Sequence, residues 1–138
     1  MGTAIDPMDQ ATAPSPARPP APSIVLVDDE ALFRSAVARL LRAAGYQVLA
    51  APGPEQALAM VAEAPQPISL LITDVNMPRM DGFELSQRAT ALQPQLRTLF
   101  VCGYPPDALA DLPPGAHFLE KPFAQEEFLS CIRQLLGA

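Results

Sequence analysis

The sequence predicts an α/β fold built on a doubly wound parallel sheet. Two observations carry that prediction. Short apolar runs of strand length alternate with segments of helical period along the whole chain. Residues 68–73 form the clearest such run, and it stops at a carboxylate, Asp74. A hydrophobic strand that ends in an acid is the pattern of a parallel sheet with a ligand site at the carboxyl edge of its strands.

Residues 1–22 are rich in Ala and Pro (Thr12-Ala13-Pro14-Ser15-Pro16 is typical) and have no apolar period, which predicts a disordered tail or linker. One domain then occupies residues 23–138. Ile24-Val25-Leu26-Val27 is the first strand, ending at Asp28-Asp29-Glu30. In the helix after it, Phe33, Ala36, Val37, Leu40, Leu41 and Ala44 keep the spacing of one face, with Arg34, Arg39 and Arg42 largely off it. Gly45 stops that helix. Residues 46–50 read as strand two. Pro52-Gly53-Pro54 breaks it, and Pro54 suits the first turn of a helix through Ala57, Leu58 and Val61.

Residues 68–74 are strand three, followed by a loop, an Asp81-Gly82 turn and a helix over residues 83–92. Residues 96–102 are strand four. Residues 107–112 leave room for only about one and a half helical turns between Pro105-Pro106 and Pro113-Pro114, so the fourth helix should be short or absent. Residues 116–120 are strand five, closed by Lys121-Pro122. The last helix covers residues 125–136, with Phe128, Cys131, Ile132 and Leu135 inward and Leu129 and Leu136 widening the stripe.

Composition narrows the function. The chain has 138 residues, 49% hydrophobic, enough for one core. A net charge of -6, with scattered basic residues, argues against nucleic acid as a partner of this segment. No stretch approaches the roughly 20 apolar residues of a membrane span. The N-terminus lacks a signal pattern, so a cytoplasmic location is expected. Cys102 and Cys131 form no metal or redox spacing, which fits reduced thiols in or near a core.

A doubly wound sheet gathers the residues that follow its strands. Here these are Asp28 and Asp29, Asp74, Cys102-Gly103, and Lys121. Each has an ordinary explanation alone: Asp28-Asp29 can cap a helix, Asp74 can be a loop acid, and Lys121 a solvated charge. Met77 and Met80 read as packing, and His117 has no partner acid or second histidine nearby in sequence. Together, three carboxylates at one edge repel unless a cation sits among them. Carboxylates with a backbone carbonyl and water make an oxygen site suited to Mg²⁺. A carboxylate held beside Mg²⁺ and a lysine can act as a nucleophile toward phosphorus, giving an aspartyl phosphate.

Three segments carry a family resemblance. Val27-Asp28-Asp29-Glu30, then residues 73–82 from Thr73-Asp74 to Asp81-Gly82, then Phe118-Leu119-Glu120-Lys121-Pro122-Phe123 resemble the receiver domain of two-component response regulators. Phe100-Val101-Cys102-Gly103-Tyr104 and the spacing are most similar to receivers of hybrid sensor histidine kinases. The resemblance covers about residues 22–138 and implies a flavodoxin-like (βα)5 sheet of order 2-1-3-4-5. It implies that Asp74 is the phosphoacceptor. It assigns Mg²⁺ to Asp29 and Asp74 side chains, the Asn76 main-chain carbonyl, and Asp28 through water. Lys121, Cys102 and Gly103 would bind the phosphoryl group, Phe118 and Cys102 would act in switching, and the Lys121-Pro122 bond would be cis.

The chain departs from the family at Cys102, where Thr or Ser is usual. A thiol is a weaker donor than a hydroxyl, which bears on the coupling of phosphorylation to the loop after strand four. The short proline-rich segment after that strand likewise bears on output partners. The function expected is a phosphoacceptor module, not an enzyme, that takes a phosphoryl group from a phosphohistidine. It would assist its own phosphorylation and dephosphorylation. Its partner would be a histidine kinase or a histidine phosphotransfer protein. The alternative is a phosphorylation-independent interaction module of the same fold. A haloacid-dehalogenase-like phosphatase would need a second Asp where this chain has Asn76.

Overall fold

The computed structural model describes residues 21–103 and 116–137, and its five strands form one parallel sheet. These are β1 (Ser23–Val27), β2 (Gln47–Ala51), β3 (Leu70–Asp74), β4 (Arg97–Cys102) and β5 (His117–Glu120), in spatial order β2-β1-β3-β4-β5. The described helices are α1 (Ala31–Ala43), α2 (Pro54–Glu63), α3 (Gly82–Leu92) and α4 (Gln125–Leu136). The chain steps outward from β1 to β2, then crosses back to β3 on the other side. The loops after β1 and β3 therefore diverge, opening a crevice at the carboxyl edge.

Strand alternation decides which helix covers which face. Ile24 and Leu26 of β1 point to one side with Leu70, Ile72, Leu99 and Val101. There they meet Val37 and Leu41 of α1 and Phe128, Ile132 and Leu135 of α4. Val25 and Val27 point to the other side with Leu71, against Ala57 and Val61 of α2 and Leu85 and Ala89 of α3. Burying each larger aliphatic side chain contributes about 1.5–3 kcal/mol, so both faces of the sheet are held.

Several elements differ in detail from the sequence reading. Strand two begins at Gln47, because the Tyr46 N–H bonds back to the Leu41 carbonyl at the exit of α1. Strand three begins at Leu70, since the Ile68 N–H is taken by the Gln93 side chain at 2.7 Å. On α1 the buried residues are Val37, Ala38 and Leu41, while Ala36 and Ala44 are exposed. The real stripe is rotated toward Ala38, and alanine's small apolar area marks a face poorly. Arg34 is half-buried. The last helix covers Gln125–Leu136, the residues expected. The expected short or absent fourth helix lies outside the described residues, as does all but the end of the expected tail.

Two local features shape the loop after β3. Asp81 caps α3, its carboxylate accepting from the Glu84 N–H at 2.9 Å. Gly82 then donates its N–H to the Val75 carbonyl at 2.8 Å. A side chain there would put its Cβ 2.3 Å from the Asp74 carbonyl oxygen, so only glycine lets α3 start this close to the strand tip.

Candidate functional site

Parallel register aligns the strand tips. Val27 pairs with Thr73, Asp74 with Val101, and Cys102 with Glu120. The next residue after β5, Lys121, donates its backbone N–H to the Cys102 carbonyl at 2.7 Å, which extends the ladder to the site. Its ammonium lies 3.2 Å from Asp28 Oδ2 and 3.3 Å from Asp74 Oδ2. Three residues from three strands thus converge as the sequence arrangement requires. The Lys121-Pro122 peptide is cis.

The remaining oxygens of the pair are also engaged. Asp28 Oδ1 accepts from the Glu30 N–H at 2.9 Å, and Asp74 Oδ1 accepts from the Asn76 N–H at 3.1 Å. Asp28 is therefore no helix cap: Glu30 occupies the N-cap position of α1, without a side-chain cap bond. The Asp28 side chain is 1% exposed. Burial pushes its pKa above the ordinary carboxylate value and Asp74 adds to this, against the opposing pull of the Glu30 N–H and Lys121. Burial works to lower the Lys121 ammonium, but Asp28 and Asp74 outweigh it and hold the pKa above the usual lysine value.

Asp29 is not part of these ion pairs. It is exposed and lines a cleft of about 150 Å³ with Gly53, Glu55, Met77, Pro78 and Arg79. Arg79 Nη1 reaches Glu55 at 3.2 Å, linking the β3–α3 loop to α2. Asn76 is exposed, and its side-chain Nδ2 donates to Cys102 Sγ at 3.4 Å. Cys102 is buried with Val75 and Phe100, and Phe83 and Phe118 pack partly buried against them. Gly103 is exposed at the end of β4. Met80 is buried in the core and Met77 packs against it, while His117 is exposed.

Two neighbours of the site were not read from the sequence. Phe33 places its ring under the Lys121 ammonium, 4.0 Å from nitrogen to ring centroid. Arg34 Nη1 donates to the Asp28 main-chain carbonyl at 2.7 Å. Both lie in the first turn of α1, where the helical period marks Phe33 only as a core residue. A further signal was available in composition: Lys121 is the only lysine in the chain.

A family profile described as the response regulator receiver domain matches residues 24–133. The chain is a response regulator receiver domain. It is 36% identical over 118 residues to the response regulator receiver protein CpdR of Brucella abortus (strain 2308), covering 83% of this chain and 97% of that protein. It also matches the sensor kinase CckA of the same organism, 33% identical over 117 residues, but spans only 12% of that protein's length. Among solved structures, the receiver domain of the hybrid histidine kinase CckA superposes with a TM-score of 0.74 at 38% identity. That alignment covers 83% of this chain and 98% of that one. A receiver protein from Sinorhizobium medicae WSM419 gives 0.77 at 27% identity, covering 86% and 96%. The sheet order of this receiver agrees with the fold of those relatives. Among the described residues, no helix is long and apolar enough to cross a membrane.

Proposed function

We propose that this receiver accepts a phosphoryl group on Asp74 from a phosphohistidine of a histidine kinase or histidine phosphotransfer protein. The placement of the single lysine between Asp28 and Asp74 is the observation that carries the reading. In the transfer, an Asp74 carboxylate oxygen attacks phosphorus as the phosphorus–nitrogen bond of the donor breaks. The bonding electrons leave with the imidazole nitrogen, which takes a proton from solvent. Lys121 passes from Asp74 Oδ2 to the incoming phosphoryl oxygens and neutralises part of their charge. Asp28, itself held by the Glu30 N–H, keeps its grip on the Lys121 ammonium during that exchange. Gly103, exposed at the mouth, leaves room for the phosphoryl group, and Cys102 and Phe118 lie where a change at the site would be read out.

The residues fit a hard divalent cation. Asp28 and Asp74 share a single ammonium, which leaves one negative charge in excess, and their carboxylates are hard oxygen donors. Burial is the main cause that pushes the Asp28 pKa up, and the nearby Asp74 charge adds a smaller push that a cation would relieve. Among the described residues, no group of three or more His, Cys, Asp or Glu side chains is arranged to hold an ion alone. By its resemblance to other receivers, the chain would hold Mg²⁺ with the Asp29 and Asp74 side chains, the Asn76 main-chain carbonyl, and Asp28 through water. When bound, it offsets the negative charge of the phosphoryl oxygens. Asp29→Asn should weaken Mg²⁺ binding measured by titration calorimetry.

The phosphorylation-independent reading is not favoured, since Asp28, Asp74 and Lys121 form the expected constellation. Intact mass after incubation with acetyl phosphate and Mg²⁺ tests the proposal. The wild-type chain should gain one phosphoryl group and Asp74→Asn none. Equal labelling of the two would refute Asp74 as the acceptor.

A further inference from the structure

We propose that Phe33 is a positioning residue for Lys121, its ring face holding the ammonium at the point between Asp28 and Asp74. A lysine side chain has a flexible four-carbon stem and loses much freedom when fixed. The two carboxylates bind Lys121 at 3.2 and 3.3 Å, and the Phe33 ring meets it at 4.0 Å. The side chain is left 19% exposed, so the ring stands where water would otherwise solvate the charge.

An aliphatic residue at position 33 would fill the same space without helping the cation. It would strip water from an ammonium and offer no electron-rich surface in return. An aromatic face carries negative charge density and attracts the ammonium directly. Phe33 is itself braced. Its ring meets Phe123 edge-on at 6.1 Å and 74°, and Phe123 stacks on Phe128 at 5.0 Å and 14°. Phe128 is fully buried on α4. The chain of three rings therefore ties the lysine's seat, on α1, to the core behind β5. An edge-of-core role alone would orient Phe33 toward Phe123, but would not require its face to lie under the one lysine of the protein.

The consequence for phosphoryl transfer rests on the function proposed above. A lysine already held at the acceptor need not be ordered during the reaction. Phe33→Leu should slow phosphorylation by acetyl phosphate about three- to tenfold, and Phe33→Tyr, which keeps the aromatic face, should restore it.

A second readout needs neither metal nor phosphoryl donor. Lysine-selective ¹³C labelling yields one side-chain ε-CH₂ signal, from Lys121. In the metal-free wild type, ring current should move its protons upfield. The shift should persist in Phe33→Tyr and disappear in Phe33→Leu. Should the leucine variant fold poorly, pentafluorophenylalanine at position 33 keeps the ring's shape while reversing its charge distribution, and should slow labelling likewise. An ε-CH₂ signal unchanged between wild type and Phe33→Leu would overturn the proposal. So would a slow Phe33→Tyr, or a wild-type rate with the fluorinated ring. Labelling of Asp74→Asn would instead defeat the acceptor assignment, leaving the resonance comparison to decide the role of Phe33 alone.

Discussion

The side-chain amide of Asn76 holds the thiol of Cys102, with Nδ2 donating to Sγ at 3.4 Å. This contact joins the loop after β3 to the tip of β4. Sulfur is a weak partner on either side of a hydrogen bond, so the tie is soft. Cys102 is also packed with Val75, Phe100 and the half-buried Phe118, which places the thiol between the acceptor loop and the ring on β5.

A hydroxyl at this position would make a stronger link. A hydrogen bond to a charged group contributes about 1.5–3 kcal/mol, and a thiol recovers only part of that. Cys102→Thr should increase the chemical-shift change that acetyl phosphate induces at Phe118 and along β4. Identical responses in both proteins would show that coupling bypasses this position.

Stability should depend on pH through Asp28. Its folded pKa is raised above the ordinary value of 3.8, chiefly by burial. Between that value and the raised one, the folded chain keeps a proton that the unfolded chain has lost. The group's contribution is thus most favourable below this window and falls as pH rises through it. Asp28→Asn cannot ionise and keeps an acceptor for the Glu30 N–H. In metal-free buffer it should be more stable than wild type at neutral pH, with the advantage shrinking as pH drops toward 3.8. Urea unfolding across that range measures it, and a pH-independent difference would contradict the account.

Gly82 should tolerate no side chain. A Cβ there meets the Asp74 carbonyl oxygen at 2.3 Å and Val75 Cα at 3.1 Å, both backbone atoms that cannot swing aside. Gly82→Ala should cost about 1–3 kcal/mol in urea unfolding, the range for forced overpacking. It should also slow phosphorylation, because the atoms that must yield carry Asp74.

Arg79 sits at φ 73, a backbone conformation that disfavours a side chain. Its ion pair with Glu55 joins side chains 75% and 48% exposed, so solvent screens most of its worth. Arg79→Gly should therefore raise stability by about 0.5–1 kcal/mol, net of the extra freedom glycine has when unfolded. Thermal unfolding showing a loss instead would mean that the bridge to α2 outweighs the strain.

Most of the fold was legible because its signals are local. Apolar runs, Gly45 after α1, Pro54 opening α2 and the Asp81-Gly82 turn each act through residues within one or two helical turns. Their errors are local too. Tyr46 has an apolar ring that suits a strand, but its N–H is claimed by the helix before it. The Ile68 N–H went to a glutamine side chain in another element, which no period can report.

The sequence alone determined the strand tips, and with them Asp28, Asp74 and Lys121, because a parallel sheet brings the ends of its strands to one edge whatever covers its faces. Tertiary packing decided what those groups touch. Lys121 meets Asp28 across 93 positions of chain. Asp29, one residue along, turns out to the cleft beside Glu55 and Arg79. Whether Phe33 shows the lysine its face or its edge depends on how α1 is rotated against β1 and α4. That rotation is settled by many buried side chains at once, and no single stretch of sequence contains it.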